Sequence, residues 1–221
     1  MKVVIAIDSF KGSVSSMEGS KEITLGIKEV YPNAEIASFP IADGGEGTVE
    51  ALVNATGGQL QSVKVTGPLL EPVQGTYGIT GNGQTAVIEV AAACGLPLVP
   101  EASRNPLLTT TRGVGELIAH AIEQGCREFI IGLGGSVTND AGVGMLQALG
   151  YRFKDEEGNE VGPGGNALSN IHRIDSAHIH PEGDDVSLRL PVTSTIRCTV
   201  LTEQPTCSRL KKERIPPWWR A

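Results

Sequence analysis

The period of apolar positions changes along the chain, and each change marks an element. Val3 to Ile7 is a short apolar run rich in β-branched residues, which predicts a buried parallel strand. From Ser16 to Val30 the spacing becomes helical, with Ile23, Ile27 and Val30 on one side and Pro32 just past the end. Glu35 to Pro40 reads as a second strand, and Thr48 to about Ala55 as a second helix. Thr48 is placed to cap that helix and Gly57-Gly58 to stop it. Strand, loop and helix repeated in this way predict a parallel sheet with helices on its faces.

Residues 61–90 have a different rhythm. Ser62 to Val65, Val73 to Ile79 and Thr85 to Val90 are short strands separated by Gly, Pro and Asn turns, which predicts an antiparallel, β-rich segment. Helical spacing returns over Gly113 to Gln124, where Val114, Leu117, Ile118, Ala121 and Ile122 share a side. Phe129 to Leu133 is another buried strand, and Asn139, Asp140 and Gly142 open a helix to about Leu149. Residues 151–170 are polar and glycine-rich and suggest a hairpin and loop. The expected fold class is α/β. A Rossmann-like parallel sheet with flanking helices takes residues 1–60 and 106–150, and a second, incomplete β-rich α/β domain takes 61–105 and 151–187.

Composition narrows the function classes. Hydrophobic residues make up 40% of the 221, enough to bury a core. The net charge of −7 argues against a nucleic-acid footprint. There is no apolar run long enough to cross a membrane, and the first apolar run is too short for a signal-peptide core. Four scattered cysteines without a CxxC pair fit a reducing cytoplasm. Cys94 and Cys126 sit among apolar residues and read as inert core thiols. The four histidines read as surface or packing residues.

Three loops carry candidate chemistry, and each follows a predicted strand, where ligands bind in open α/β sheets. The first holds Asp8, Ser9 and Lys11, the second Asp43 and Glu46 among glycines. The third offers the backbone amides of Gly134, Gly135 and Ser136, followed by Thr138, Asn139 and Asp140. Phosphoryl transfer needs such parts. Glycine-rich backbone can point N–H groups at phosphate oxygens, a lysine offsets charge, and carboxylates hold Mg²⁺ or take the attacking hydroxyl's proton. There is no GxxxxGK[ST], and GLGGS matches a dinucleotide fingerprint only loosely. Taken singly, each feature has a plainer reading: a tight turn for the glycines, a surface lysine for Lys11, helix capping for Asp43, Glu46 and Asp140.

Five stretches taken in order carry more weight: IAIDSFKGS, PIADGGEGTVEAL, TAVIEVAAACGLPLV, NPLLTTTRGVGELI and GLGGSVTNDAGVGMLQALG. Together they resemble the bacterial glycerate kinase family, the type without a P-loop, from Met1 to about Val186. The resemblance implies two α/β domains around a cleft, ATP and Mg²⁺ as cosubstrate and metal, and D-glycerate as the acceptor that becomes 2-phosphoglycerate. On it, Lys11 and the Gly134, Gly135 and Ser136 amides would meet phosphate, with Thr138 and Asn139 beside them. Asp43 and Asp140 would serve as metal ligand or base. Arg112 would meet the substrate carboxylate, with Asp8, Ser9 and Glu46 near the substrate. A fragment that binds nucleotide or acid without turnover, and an oxidoreductase on a similar scaffold, are the other classes. The implied partners are small molecules, with no nucleic acid or membrane.

The family's members are longer, and the resemblance fails after about residue 187. Residues 189–221 contain no glycine and carry a balance of +5, against −12 for the rest. Read one frame over, the codons of residues 190–198 permit A-C-D-V-D-N-P-L, a segment the family has at this point. Residues 188–221 are therefore expected to be a frame-shifted, aberrant tail, and the chain to be truncated, impaired and prone to aggregate.

Overall fold

The computed structural model describes residues 1–10, 12–179 and 186–190. Lys11 and nearly all of the expected aberrant tail lie outside the described residues.

The chain opens with a β–α–β unit: β1 (Lys2–Ile7), α1 (Ser16–Val30) and β2 (Glu35–Pro40). These bounds follow from local chemistry. Ser15 accepts the Glu18 amide while Glu18 reaches back to the Ser15 amide, a reciprocal cap that fixes where α1 begins. Glu18's carboxyl is held below its ordinary range first by that backbone hydrogen bond. β1 and β2 pair in parallel, from Lys2 opposite Glu35 to Ile7 opposite Pro40.

α2 (Thr48–Thr56) then leads into β3 (Gln59–Thr66), β4 (Pro72–Ile79) and β5 (Thr85–Glu89), an antiparallel meander as its turn signals predict. Thr48 is the first helical residue and not the cap. Gly47, with φ +91°, takes the capping place without a side-chain bond, and the Thr48 hydroxyl donates to the Gly45 carbonyl at 2.8 Å. Gly57 ends α2 in the left-handed region, as expected.

Short α3 (Ala91–Cys94) and long α4 (Arg112–Glu123) precede β6 (Glu128–Gly132), which pairs in parallel with β5. α5 (Val143–Ala148), the hairpin strands β7 (Arg152–Lys154) and β8 (Arg173–Asp175), and β9 (Ser187–Arg189) complete the elements. The main sheet has five strands in the order β3-β4-β5-β6-β9 and crosses the sequence border between residues 105 and 106. Its last strand takes in residues 188 and 189 and pairs in parallel with β6.

Parallel strands are normally covered on both faces, and β5 and β6 obey this residue by residue. Ala86, Ile88, Phe129 and Ile131 enter the larger core with Tyr77, Val114, Leu117, Ile118 and Ile122. Val87 and Ile130 point the other way, onto Val49 and Val53 of α2. α4 thus covers one face of the sheet and α2 the other. All five positions predicted for the apolar side of α4 are buried, and so are Cys94 and Cys126.

Two expectations need correction. β1 and β2 form their own two-stranded sheet, so the three loops do not share the rim of one sheet. β5 is already flanked by β4 and β6, which leaves β2 no place beside it. The apolar side of α1 is also largely uncovered: Ile23 is 39% and Val30 69% exposed, while the helix packs inward through Ser16, Gly19 and Ser20. Small residues there allow close approach, since a Cβ on Gly19 would lie 3.0 Å from Ile7 Cδ1.

Leu117→Ala is expected to cost about 2–5 kcal/mol by removing a fully buried side chain. Val4→Ser, at an exposed position, is expected to change stability by about 0.5 kcal/mol or less. Urea unfolding of both variants checks the contrast.

Candidate active site

The second and third loops meet backbone to backbone. Gly134 N–H donates to the Gly44 carbonyl at 3.3 Å. A Cβ on Gly132 would collide with that same Gly44 carbonyl oxygen, and one on Gly134 would lie 2.7 Å from Gly45 Cα. Gly132 and Gly134 are required as glycine because main chain approaches main chain with no room for a side chain, and Gly44 because its φ is +91°. Asp43 closes its own loop by accepting the Gly45 amide at 3.2 Å. Asp43 and Glu46 are exposed, and neither caps α2.

The cap comes from a residue that sequence reading did not single out. Glu89, the last residue of β5, accepts the Val49 amide at 2.9 Å and also bonds the amides of Gly47 and Thr48. Its carboxylate occupies the positive end of α2, where an anion is favoured. Burial raises its pKa, and the amide bonds only partly offset this. The signal was an acid ending an otherwise apolar strand, since a half-buried carboxylate needs dedicated donors.

The third loop is held on its other side by α3. Leu96 N–H donates to Gly135 O at 3.0 Å and Val137 N–H to Cys94 O at 2.9 Å. The amides of Gly135 and Ser136 keep no acceptor among the described residues. Ser136 Oγ accepts the Thr138 amide at 3.2 Å and lies 2.7 Å from Thr138 Oγ1. Asn139 is exposed. Asp140 is not: it is fully buried, and its carboxylate receives the amides of Thr111, Gly142 and Gly144 and the hydroxyl of Thr111 at 2.8–3.1 Å. Four good donors fill a carboxylate's acceptor sites. Asp140 therefore ties the start of α4 to the start of α5. Thr111, which also accepts the Met145 amide, is its partner and was likewise missed.

A cavity of about 220 Å³ brings the first and second loops together: Ser9, Glu46 and Gly47 line it with Glu89 and Thr76. Asp8 stands exposed at its edge of the chain, accepting the Ser9 amide at 2.7 Å. Arg112 is elsewhere. It pairs with Glu116 at 3.1 Å and borders a second cavity of about 550 Å³ with Gln147, Arg152, Glu160 and His178, which shares no lining residue with the first. His120 is a packing residue, its Nδ1 lying 2.9 Å from the hydroxyl of Tyr77, a phenol that burial pushes up to about 12. Burial likewise pushes the Cys94 thiol up to about 11, which makes it a poor nucleophile. Among the described residues no group of three or more His, Cys, Asp or Glu could hold a metal ion, and no helix is long and apolar enough to cross a membrane.

The family model described as the glycerate kinase family matches residues 3–196, ten residues beyond the limit read from the motifs. The chain belongs to that family. It is 53% identical to the glycerate kinase of Bacillus subtilis and 51% to the glycerate 2-kinase of Escherichia coli, each over 86% of this chain and 50% of the relative. The crystal structure named for glycerate kinase 2 of Salmonella typhimurium LT2 superposes with a TM-score of 0.76 at 47% identity, over 86% of this chain and 51% of that one. The chain thus spans about half the length of the curated relatives it matches.

Asp140→Ala is expected to cost about 2–5 kcal/mol, because it strands several buried donors at once; chemical unfolding reads this directly. For Glu89, a folded pKa above the unfolded one means that its contribution is full below about 4.5 and is lost as pH rises through the raised value. Relative to the parent, Glu89→Gln is therefore expected to gain thermal stability as pH climbs from about 4 to about 7. Paired melting curves across that range check the sign.

Proposed function

We propose that the polypeptide this chain belongs to is a glycerate kinase that transfers the γ-phosphoryl group of ATP to D-glycerate and yields 2-phosphoglycerate. The observation that carries the reading is the Gly44–Gly134 junction, which sets two glycine-rich loops side by side next to the cavity lined by Ser9 and Glu46. The open amides of Gly135 and Ser136 suit phosphate oxygens, and the hydroxyls of Ser136 and Thr138 lie beside them. Lys11 is our candidate for offsetting charge on the transferred group. Mg²⁺ would be held by one or two protein carboxylates and would offset the charge of the phosphates. Asp43 and Glu46 are exposed and fit that need. Asp43 is also our candidate for accepting the glycerate hydroxyl's proton, and Asp8 and Ser9 for orienting the substrate. Asp140 has no acceptor site left and is assigned to positioning. Arg112 borders the other cavity and drops out of the reacting group.

The half-length match favours a second reading for this chain by itself, that it binds nucleotide or acid without turnover. The test is ADP release with D-glycerate and Mg-ATP, for this chain and for the same residues joined to the unmatched half of the Bacillus subtilis relative. The joined polypeptide is expected to release ADP only when glycerate is present, and the chain alone at least about a hundredfold more slowly, because misplaced groups lose the advantage of orientation. ADP release indifferent to glycerate would sink the proposal.

A further inference from the structure

The larger cavity, of about 550 Å³, has no part in the proposed reaction and is built on three elements. Arg112 comes from the start of α4, Gln147 from α5, and Arg152 with Phe153 from β7. Fixed contacts join these walls. Gln147 Nε2 donates to Val161 O at 3.2 Å, and Val161 N–H donates to Phe153 O at 2.9 Å. The main chain of His178 is seated against Gly150, which has φ +96° and where any Cβ would collide with His178 O. Tyr151, Phe153 and Val161 are buried and give the cavity an apolar lining.

We propose that this cavity is a second ligand site, which takes a small organic acid by its carboxylate or phosphoryl head. Three observations support it. The chain to residue 188 carries a balance of −12, yet the lining holds Arg112, Arg152 and His178 against the one carboxylate of Glu160. Each guanidinium is held through Nε, Arg112 by Glu116 at 3.1 Å and Arg152 by Glu160 at 3.4 Å. Among the described residues no acceptor takes a hydrogen bond from the Nη nitrogens of either. A fork fixed at its base and open at its tips matches two oxygens of a carboxylate or phosphate. Its fixed base also lowers the ordering cost of binding. Leu70 is the third observation. Its φ of +70° is a conformation that leucine adopts only at a cost, and it lines the cavity while 54% exposed. The hydrocarbon body of a ligand would cover it. The volume lies within the rough 300–1,000 Å³ of small-molecule sites. This cavity shares no lining residue with the one bordered by Ser9 and Glu46, so the inference does not rest on the kinase reading.

Calorimetric titration of this chain at constant ionic strength tests it, with succinate and glycerol phosphate as probes and uncharged succinamide and glycerol as controls. Binding of either probe supports the site, and which one binds tells which head it takes. Arg152→Gln is expected to weaken the bound probe by about tenfold or more, through loss of a charge-assisted bond. Arg112→Lys keeps the charge but loses the fork, and is expected to weaken it severalfold. Lys2→Gln, at an ion pair outside the cavity, is expected to leave binding unchanged. Leu70→Gly separates binding from folding. Its melting temperature is expected to hold or rise, since glycine accepts this φ, while its affinity falls severalfold. Hydrogen exchange locates the probe without any substitution: the Arg152–Lys154 peptide is expected to slow, and the peptides of the two glycine loops are not. Should Arg152→Gln fail to fold, Arg112→Lys and the exchange pattern decide. No binding of either probe at ~10 mM overturns the inference. So does equal binding of the uncharged controls, a folded Arg152→Gln that binds like the parent, an equal loss in Lys2→Gln, or slowed exchange confined to the glycine loops.

Discussion

Everything at the candidate site depends on how closely two stretches of main chain approach each other. Gly132 and Gly134 lie against Gly44 and Gly45, and on the Gly132 and Gly134 side there is space for hydrogen and nothing larger. Two separate sheets have no shared ladder to align them, so this contact does the work that strand pairing does inside a sheet. It carries the loop after β2 onto the loop after β6. The Gly134–Gly44 hydrogen bond then keeps one amide satisfied while its neighbours stay open. A side chain at Gly132 or Gly134 would collide with the main chain of the second loop and drive the loops apart, and orientation for group transfer is lost on the ångström scale.

Two acids hold this junction from behind. Glu89 clamps the first amides of α2, and Asp140 clamps the segments leading into α4 and α5. Each puts a negative charge where a helix start favours one. A phosphate would seek the same places, so the chain's own carboxylates have closed them. What remains for an incoming anion is the stretch of Gly135 and Ser136, a loop and not a helix end. Position along the fold, more than residue type, therefore separates acids that build the site from acids free to act in it. Asp43 and Glu46, both exposed, are the proposed members of the second kind.

Much of the local structure was legible in the sequence. α1 and β2 begin and end at the predicted residues, since a reciprocal Ser15–Glu18 cap and Pro32 are local signals. The apolar stripe of α4 is buried at every predicted position because it has a sheet to cover. The stripe of α1 is as regular, yet it is exposed. Periodicity says which side of a helix is apolar but nothing about whether a partner is present. The same limit explains the site. Glu89 finds its amides 40 residues away and Asp140 its threonine 29 away, distances at which no spacing rule operates. Arg112 follows a threonine run that packs at the site, but the first turn of a helix rotates its side chain to another cavity, and a motif read as letters hides that rotation.

The main sheet changes character at β5, which pairs antiparallel with β4 on one side and parallel with β6 on the other. On a ribosome the consequence is an order of events. β3, β4 and β5 are joined by short turns and can zip together as soon as they emerge, because closing short loops costs little entropy. β6 can add only after α4 has been made and has crossed over the sheet. The central strand thus acts as a template, finished on one flank while the other is still unsynthesised, and the loop that carries Gly134 reaches Gly44 only once that second flank has closed.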